Sequence, residues 1–203
     1  MNFDLPVFRA INSFARNTPW LHGPLLAYST AGVGVMAVLL LILWWTVRRR
    51  PHNTTRMAAV LWTPVATVLA LGINQFLVAA VHEARPYTAL PGIFVLATRS
   101  TDFSFPSDHA VMAGAVITGT LLATRGVLAW ITVAAGLLLA FSRVYIAAHY
   151  PHDVVAGLAV GAVVTLVGFL LLRRPLTAAV RALHDSRLRL LVSNAAPAAP
   201  SRA

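Results

Sequence analysis

Hydrophobic positions along this chain gather into long blocks, separated by short polar stretches that carry most of its charge. Five blocks are apolar and long enough to cross a bilayer, which takes about 20 residues of helix. They run from Leu25 to Val47, Met57 to Val81, His109 to Ala123, Val127 to Ala147 and Val154 to Leu172. The third is short and depends on its flanks. Ahead of them the period changes. Leu5, Val7, Phe8, Ile11, Phe14 and Ala15 recur at helical spacing, with Arg9, Asn12 and Arg16 between them. That pattern predicts an amphipathic helix lying in the membrane interface. The predicted fold is therefore an all-α integral membrane protein: a bundle of about five transmembrane helices plus an N-terminal interfacial helix. Residues 1–190 read as one domain, and 191–203, ending "SNAAPAAPSRA", as a disordered tail.

Composition narrows the function. A chain that is 58% hydrophobic and 11% charged is no ordinary soluble domain. It has no cysteine, which excludes disulfides, thiolate catalysis and zinc–thiolate sites. The formal net charge is +10, and all 16 basic residues are arginine. Several flank the apolar blocks, as topology signals and phosphate contacts do, so no nucleic-acid partner is expected. The opening "MNFDLPVFRAINSFARNTPW" lacks the basic start and unbroken apolar run of a signal peptide. "RRRPHNTTR" after the first span, Arg125 after the third and Arg173–Arg174 after the fifth fall on one side by alternation. The positive-inside rule makes that side cytoplasmic.

Alternation also brings three polar clusters to the opposite, outer side: "HEARPY" (82–87), "FPSDHA" (105–110) and "SRVYIAAHYPHD" (142–153). Ionisable groups at membrane depth are costly, so three such clusters at one rim mark a functional site. Each suits phosphate. Arg85 and Arg143 offer planar forks that grip phosphoryl oxygens. Ser107 reads as the N-cap of the third span, and a helix N-terminus presents free N–H groups to an anion. Pro151 ends the fourth helix and opens the fifth, which leaves His149 on a tight turn and Asp153 in a first helical turn. His149 and Asp153, four apart, can pair, and His109 comes from a separate segment. Two histidines, two arginines and two helix ends compose a phosphoryl-transfer site with no metal.

These residues resemble the three signature motifs of the type 2 phosphatidic acid phosphatase superfamily. "RP" at 85–86, "PSDH" at 106–109 and "SRVYIAAHYPHD" carry the resemblance, and the third fits the family pattern at every defined position. Asp108, where most members have glycine, is similar to the bacterial undecaprenyl-diphosphate phosphatases linked to bacitracin resistance. The resemblance implies that His149 is a nucleophile forming a phosphohistidine, supported by Asp153, with His109 as acid for the leaving group. Arg85, Arg143 and Ser107 would hold the phosphoryl oxygens, and no cofactor is implied. The substrate would be a polyprenyl diphosphate or another lipid phosphate, met at the outer face of a bacterial plasma membrane. One departure is plain: the first motif's lysine falls at Val78, and Arg99 is the candidate replacement.

Other readings stay open at this level. The lipid could be phosphatidic acid or phosphatidylglycerol phosphate; an inactive lipid-binding or transport relative is supported only by the missing lysine and opposed by the intact His149, His109 and Asp153. A metal site on His149, His152 and Asp153 is disfavoured by Pro151 and the adjacent arginines. His152 reads as a solvated turn residue, Glu83 as a partner for an arginine, and Asp108 as structural. Asn74 and Gln75 read as bonds across helices. Trp20, Trp44, Trp45 and Tyr28 read as interface anchors, and "AGLAVGAVV" as close helix packing.

Overall fold

A computed structural model of the protein describes residues 4–50 and 53–193; the regular structure among them is all helix, with no strand. The elements are α1 (Leu5–Arg16), α2 (Pro19–Arg48), α3 (Thr54–Val81), a single turn α4 (Pro86–Ala89), α5 (Asp108–Ala123), α6 (Val127–Tyr145) and α7 (Pro151–His184), closed by a 3-10 turn at Arg189–Leu191. Four of them, α2, α3, α6 and α7, are long and apolar enough to cross a membrane. The fifth expected span, α5, has only 16 residues, about 24 Å of helix, short of a bilayer's hydrocarbon core. It can be short because it occupies the middle of the bundle. α3, α6, α7 and α2 surround it, and nine of its residues are buried.

Small residues make that central position possible. α5 and α7 form the most extensive helix pair in the molecule. A Cβ on Gly114 would overlap the backbone of Leu158, and one on Gly161 the carbonyl of Val111. A Cβ on Gly157 would sit 2.6 Å from the carbonyl oxygen of Ser107. Gly157 and Gly161 are the small-xxx-small stripe along which membrane helices approach closely. Gly157 thereby seats the first turn of α7 against the N-cap of α5.

α1 packs Phe8, Asn12 and Ala15 inward and leaves Val7 and Phe14 exposed, the two-faced pattern of an interfacial helix. Asn12 ties it to the loop after α4 by paired bonds with Phe94, Nδ2 donating at 2.6 Å and Oδ1 accepting at 2.9 Å. Several boundaries differ from expectation. α7 continues past Leu172 to His184, because Val180 is buried against Leu43, Val47 and Met57 at the arginine-rich end. Of the expected tail, Val192 and Ser193 are buried, and the backbone is tied down: Trp44 Nε1 donates to the Leu191 carbonyl at 2.8 Å, and Asn53 Nδ2 to that of Val192 at 3.1 Å. Residues 194–203 lie outside the described residues. Trp20 and Trp45 are exposed as anchors should be, whereas the Tyr28 hydroxyl is spent on the Ala135 carbonyl of α6.

Candidate active site

The C-terminal ends of α3 and α6 and the N-terminal ends of α5 and α7 meet at one end of the bundle. There Arg85, His109, Arg143 and His149 line a single cavity of about 220 Å³, with Asp102 and Asp108 on its walls. The turn that delivers His149 is a Schellman cap. Ala147 adopts φ 63°, its N–H bonds to the Val144 carbonyl, and Ala148 N–H bonds to that of Arg143. This ends α6 within three residues of Arg143 and turns the chain into Pro151, where α7 starts as the sequence predicts.

His149 is 3% exposed, and its two ring nitrogens have distinct partners. Nδ1 lies 2.8 Å from the carbonyl oxygen of Ser104 and 3.4 Å from Asp153 Oδ2. The aligned bond is therefore the one to Ser104, with the carboxylate behind it. A proton on Nδ1 leaves the Nε2 lone pair facing the cavity, where Arg85 Nη1 lies 3.1 Å away. Burial above all holds the imidazole below its ordinary pKa; Arg85 and Arg143 push the same way, against Asp153. Asp153 is fully buried. Its Oδ2 accepts from the Tyr150 backbone N–H at 2.8 Å, half of a capping box, and from the Ser104 hydroxyl.

Arg85 is held rigidly: Nη2 donates to Asp102 Oδ2 at 2.8 Å, Nε to the Asp102 carbonyl at 3.2 Å and Nη1 to that of Ala148 at 3.0 Å. Asp102 is 64% exposed; burial raises its pKa, but bonds from Ser100 and Arg85 outweigh that and leave it lowered. Arg143 keeps one long bond to the Ser29 carbonyl, at 3.4 Å, and a buried Nε without a partner. Ser107 is the N-cap of α5, yet its buried Oγ bonds to nothing in the protein. Its backbone N–H donates to the Asp153 carbonyl at 3.1 Å, which locks the starts of α5 and α7 together. Imidazole, guanidinium groups and orphaned donors around one cavity suit a tetrahedral oxyanion.

A sequence profile of the PAP2 superfamily matches residues 59–175, more than half of the chain. The chain belongs to the PAP2 superfamily. It is 30% identical, over 85% of its own length and 83% of the relative's, to the undecaprenyl-diphosphatase BcrC of Bacillus subtilis (strain 168). It is 34% identical to an undecaprenyl-diphosphatase of Sulfolobus acidocaldarius, over 48% of this chain and 47% of that one. Among solved structures, Aquifex aeolicus LpxE shares its fold with a TM-score of 0.62 and 23% identity, over 84% of this chain and 96% of that one. This PAP2 protein is thus a membrane enzyme of the phosphatase kind.

The six residues singled out from sequence converge in this PAP2 site: His149, His109, Arg85 and Arg143 on the cavity, Ser107 and Asp153 just behind it. Val78, at the motif's lysine position, lines the same cavity, so the substitution removes a cation from the wall itself. Arg99 lies over the Tyr87 ring, 5.9 Å from its centroid. Asp108 is braced on α3 as a structural group would be, accepting from Asn74 Nδ2 at 2.7 Å and Gln75 Nε2 at 3.2 Å, while it also faces the cavity. Two expectations are corrected. His152 is buried, not solvated, and Glu83 pairs with it at 2.8 Å rather than with an arginine. Ser104 was not legible, because its carbonyl serves His149 as any residue's could and its hydroxyl meets Asp153 only through the fold.

Proposed function

We propose that this protein hydrolyses a polyprenyl diphosphate, undecaprenyl diphosphate in a bacterial setting, to the monophosphate, by way of a phosphohistidine on His149. The observation that carries the reading is the His149 ring: Nδ1 engaged by the Ser104 carbonyl with Asp153 behind it, and Nε2 turned to a cavity with two arginines. Nε2 attacks the terminal phosphorus, and the bond to the bridging oxygen breaks. His109 supplies a proton to the departing lipid phosphate, then takes one from the water that cleaves the phosphorus–nitrogen bond. Arg85, Arg143 and the Ser107 hydroxyl hold the non-bridging oxygens as charge spreads over them. The similarity to two proteins named undecaprenyl-diphosphatase favours this lipid over other lipid phosphates. Arg48–Arg50, Arg56 and Arg125, gathered at the far end of the bundle, support a cytoplasmic place for that end and with it a site on the outer side of the plasma membrane.

Purified protein given polyprenyl diphosphate with excess chelator is expected to release inorganic phosphate. His149→Ala is expected to lose at least about a thousandfold in kcat, as removal of a covalent nucleophile does. Wild-type turnover in that variant would exclude His149 as nucleophile. Faster release from phosphatidic acid or phosphatidylglycerol phosphate than from the diphosphate would reassign the lipid.

A further inference from the structure

Beside the cavity lies a second buried polar cluster that the proposed chemistry does not use. At its centre is His152, only 8% exposed. Its Nδ1 is 2.9 Å from Asp4 Oδ2, which also accepts from the His152 backbone N–H at 2.7 Å. Its Nε2 is 2.8 Å from Glu83 Oε2 and 3.2 Å from Asp153 Oδ1. With a carboxylate oxygen on each ring nitrogen, both nitrogens donate, the bonding pattern of an imidazolium. Tyr150 stacks on the ring at 5.5 Å and 12°, and Phe105 packs at 5.6 Å. Burial first, then the charges of Glu83, Asp153 and Asp4, push the Tyr150 phenol up to about 12, in keeping with a strongly negative surrounding.

The cluster touches the catalytic turn at two points. Asp153 Oδ2 is fully used, but Oδ1 has no aligned hydrogen bond, and the His152 ring is the group beside it. The Glu83 carbonyl accepts from the Ser104 N–H at 2.8 Å, and the Ser104 carbonyl in turn accepts from His149. We propose that His152, gripped by Asp4 and Glu83, is a positioning residue that fixes Asp153 and Ser104 behind His149, so that Asp4, just ahead of α1, completes the active site. The inference rests on the hydrolase reading given above. Without a cation there, the buried carboxylates of Asp4 and Asp153 and the partly buried one of Glu83 would face one another, and a buried charge left without a partner is strongly destabilising. His152 neutralises Asp153 from the side away from His149 and limits its rotation. Asp4, far off in sequence, supplies the charge that keeps His152 protonated.

The test uses the full chain assayed on polyprenyl diphosphate over a pH series. Asp4→Asn and His152→Gln are expected to lower kcat about 10–100-fold with KM little changed, a loss of the size that follows removal of the outer partners orienting metal-bound side chains. In Asp4→Asn the part of the alkaline limb that belongs to His152, told apart from that of the acid His109 by its absence in His152→Gln, moves to lower pH, because His152 sheds its proton sooner with one facing carboxylate gone. Glu83 and Asp153 are the other ionisable carboxylates on the ring, and Tyr150 the phenol against it. Asp4→Glu keeps the charge and returns the limb toward its original place. Wild-type kcat and pH profile in Asp4→Asn would overturn the proposal, as would a lower kcat with an unmoved limb, which denotes a merely structural role. If His152→Gln does not fold, Asp4→Asn carries the test. A stoichiometric divalent cation held by Glu83, His152 and Asp153 would also overturn it. Failure of the hydrolase reading looks different: no phosphate release by the wild-type chain, or full activity in His149→Ala.

Discussion

At the scale of single residues, the proposed nucleophile His149 would decide when this site can react. On that proposal its attacking nitrogen is nucleophilic only while the imidazole is neutral. Burial and two nearby arginines hold its pKa below the ordinary value of about 6.5, so the neutral form persists to lower pH than in a free histidine. The acid limb of kcat/KM is therefore expected below about pH 6.5. In Asp153→Asn the limb shifts further to the acid side while kcat falls, because the one influence raising the His149 pKa through charge is lost. A pH–rate series on both proteins checks the direction, and a limb above the ordinary histidine value would contradict it. The spacing of His149 and Asp153 made their association legible in the sequence, since i and i+4 across a helix start are neighbours. That the ring nitrogen bonds first to the Ser104 carbonyl was not legible, because a backbone acceptor carries no residue signature.

At the scale of elements, the α5–α7 contact sets the site. The Ser107 N–H bonds to the Asp153 carbonyl only because Gly157 and Gly161 let the two helices touch backbone to backbone. Gly161→Ala would drive a methyl into the Val111 carbonyl. It is expected to cost about 1–3 kcal/mol, as overpacking does, and to lower kcat by separating Ser107 from the His149 turn. Thermal unfolding in detergent together with kinetics checks both effects. Gly34→Ala on α2, whose added Cβ meets nothing within 4 Å, is the control expected to change neither. The run of small residues announced close packing, but not its partner. A stripe on one helix does not say which neighbour will fill it. Likewise α5 looked too short to span, and its central place explains why length did not matter.

For the whole molecule, charge is partitioned between the two ends. Five of the six acidic residues, Asp4, Glu83, Asp102, Asp108 and Asp153, lie at the site end, whereas Arg48–Arg50, Arg56 and Arg125 cluster at the other. The chain has no cysteine, so single cysteines can report its sidedness without background. Thr101→Cys, in the exposed loop over the cavity, is expected to react with a membrane-impermeant maleimide in intact cells. Arg125→Cys is expected to react only after permeabilisation, and the reverse pattern would invert the topology. Sequence alone determined the helical class and the arginine-rich end, and it singled out six residues that the fold brings together at one end of the bundle. Those follow from hydropathy, from charge placement and from residue types that chemistry requires. Only the tertiary structure decided that His152 is buried among carboxylates from three distant segments, and that Val78 stands on the cavity wall. Burial and long-range pairing depend on which helix faces pack together, and the one-dimensional pattern leaves that choice to the fold.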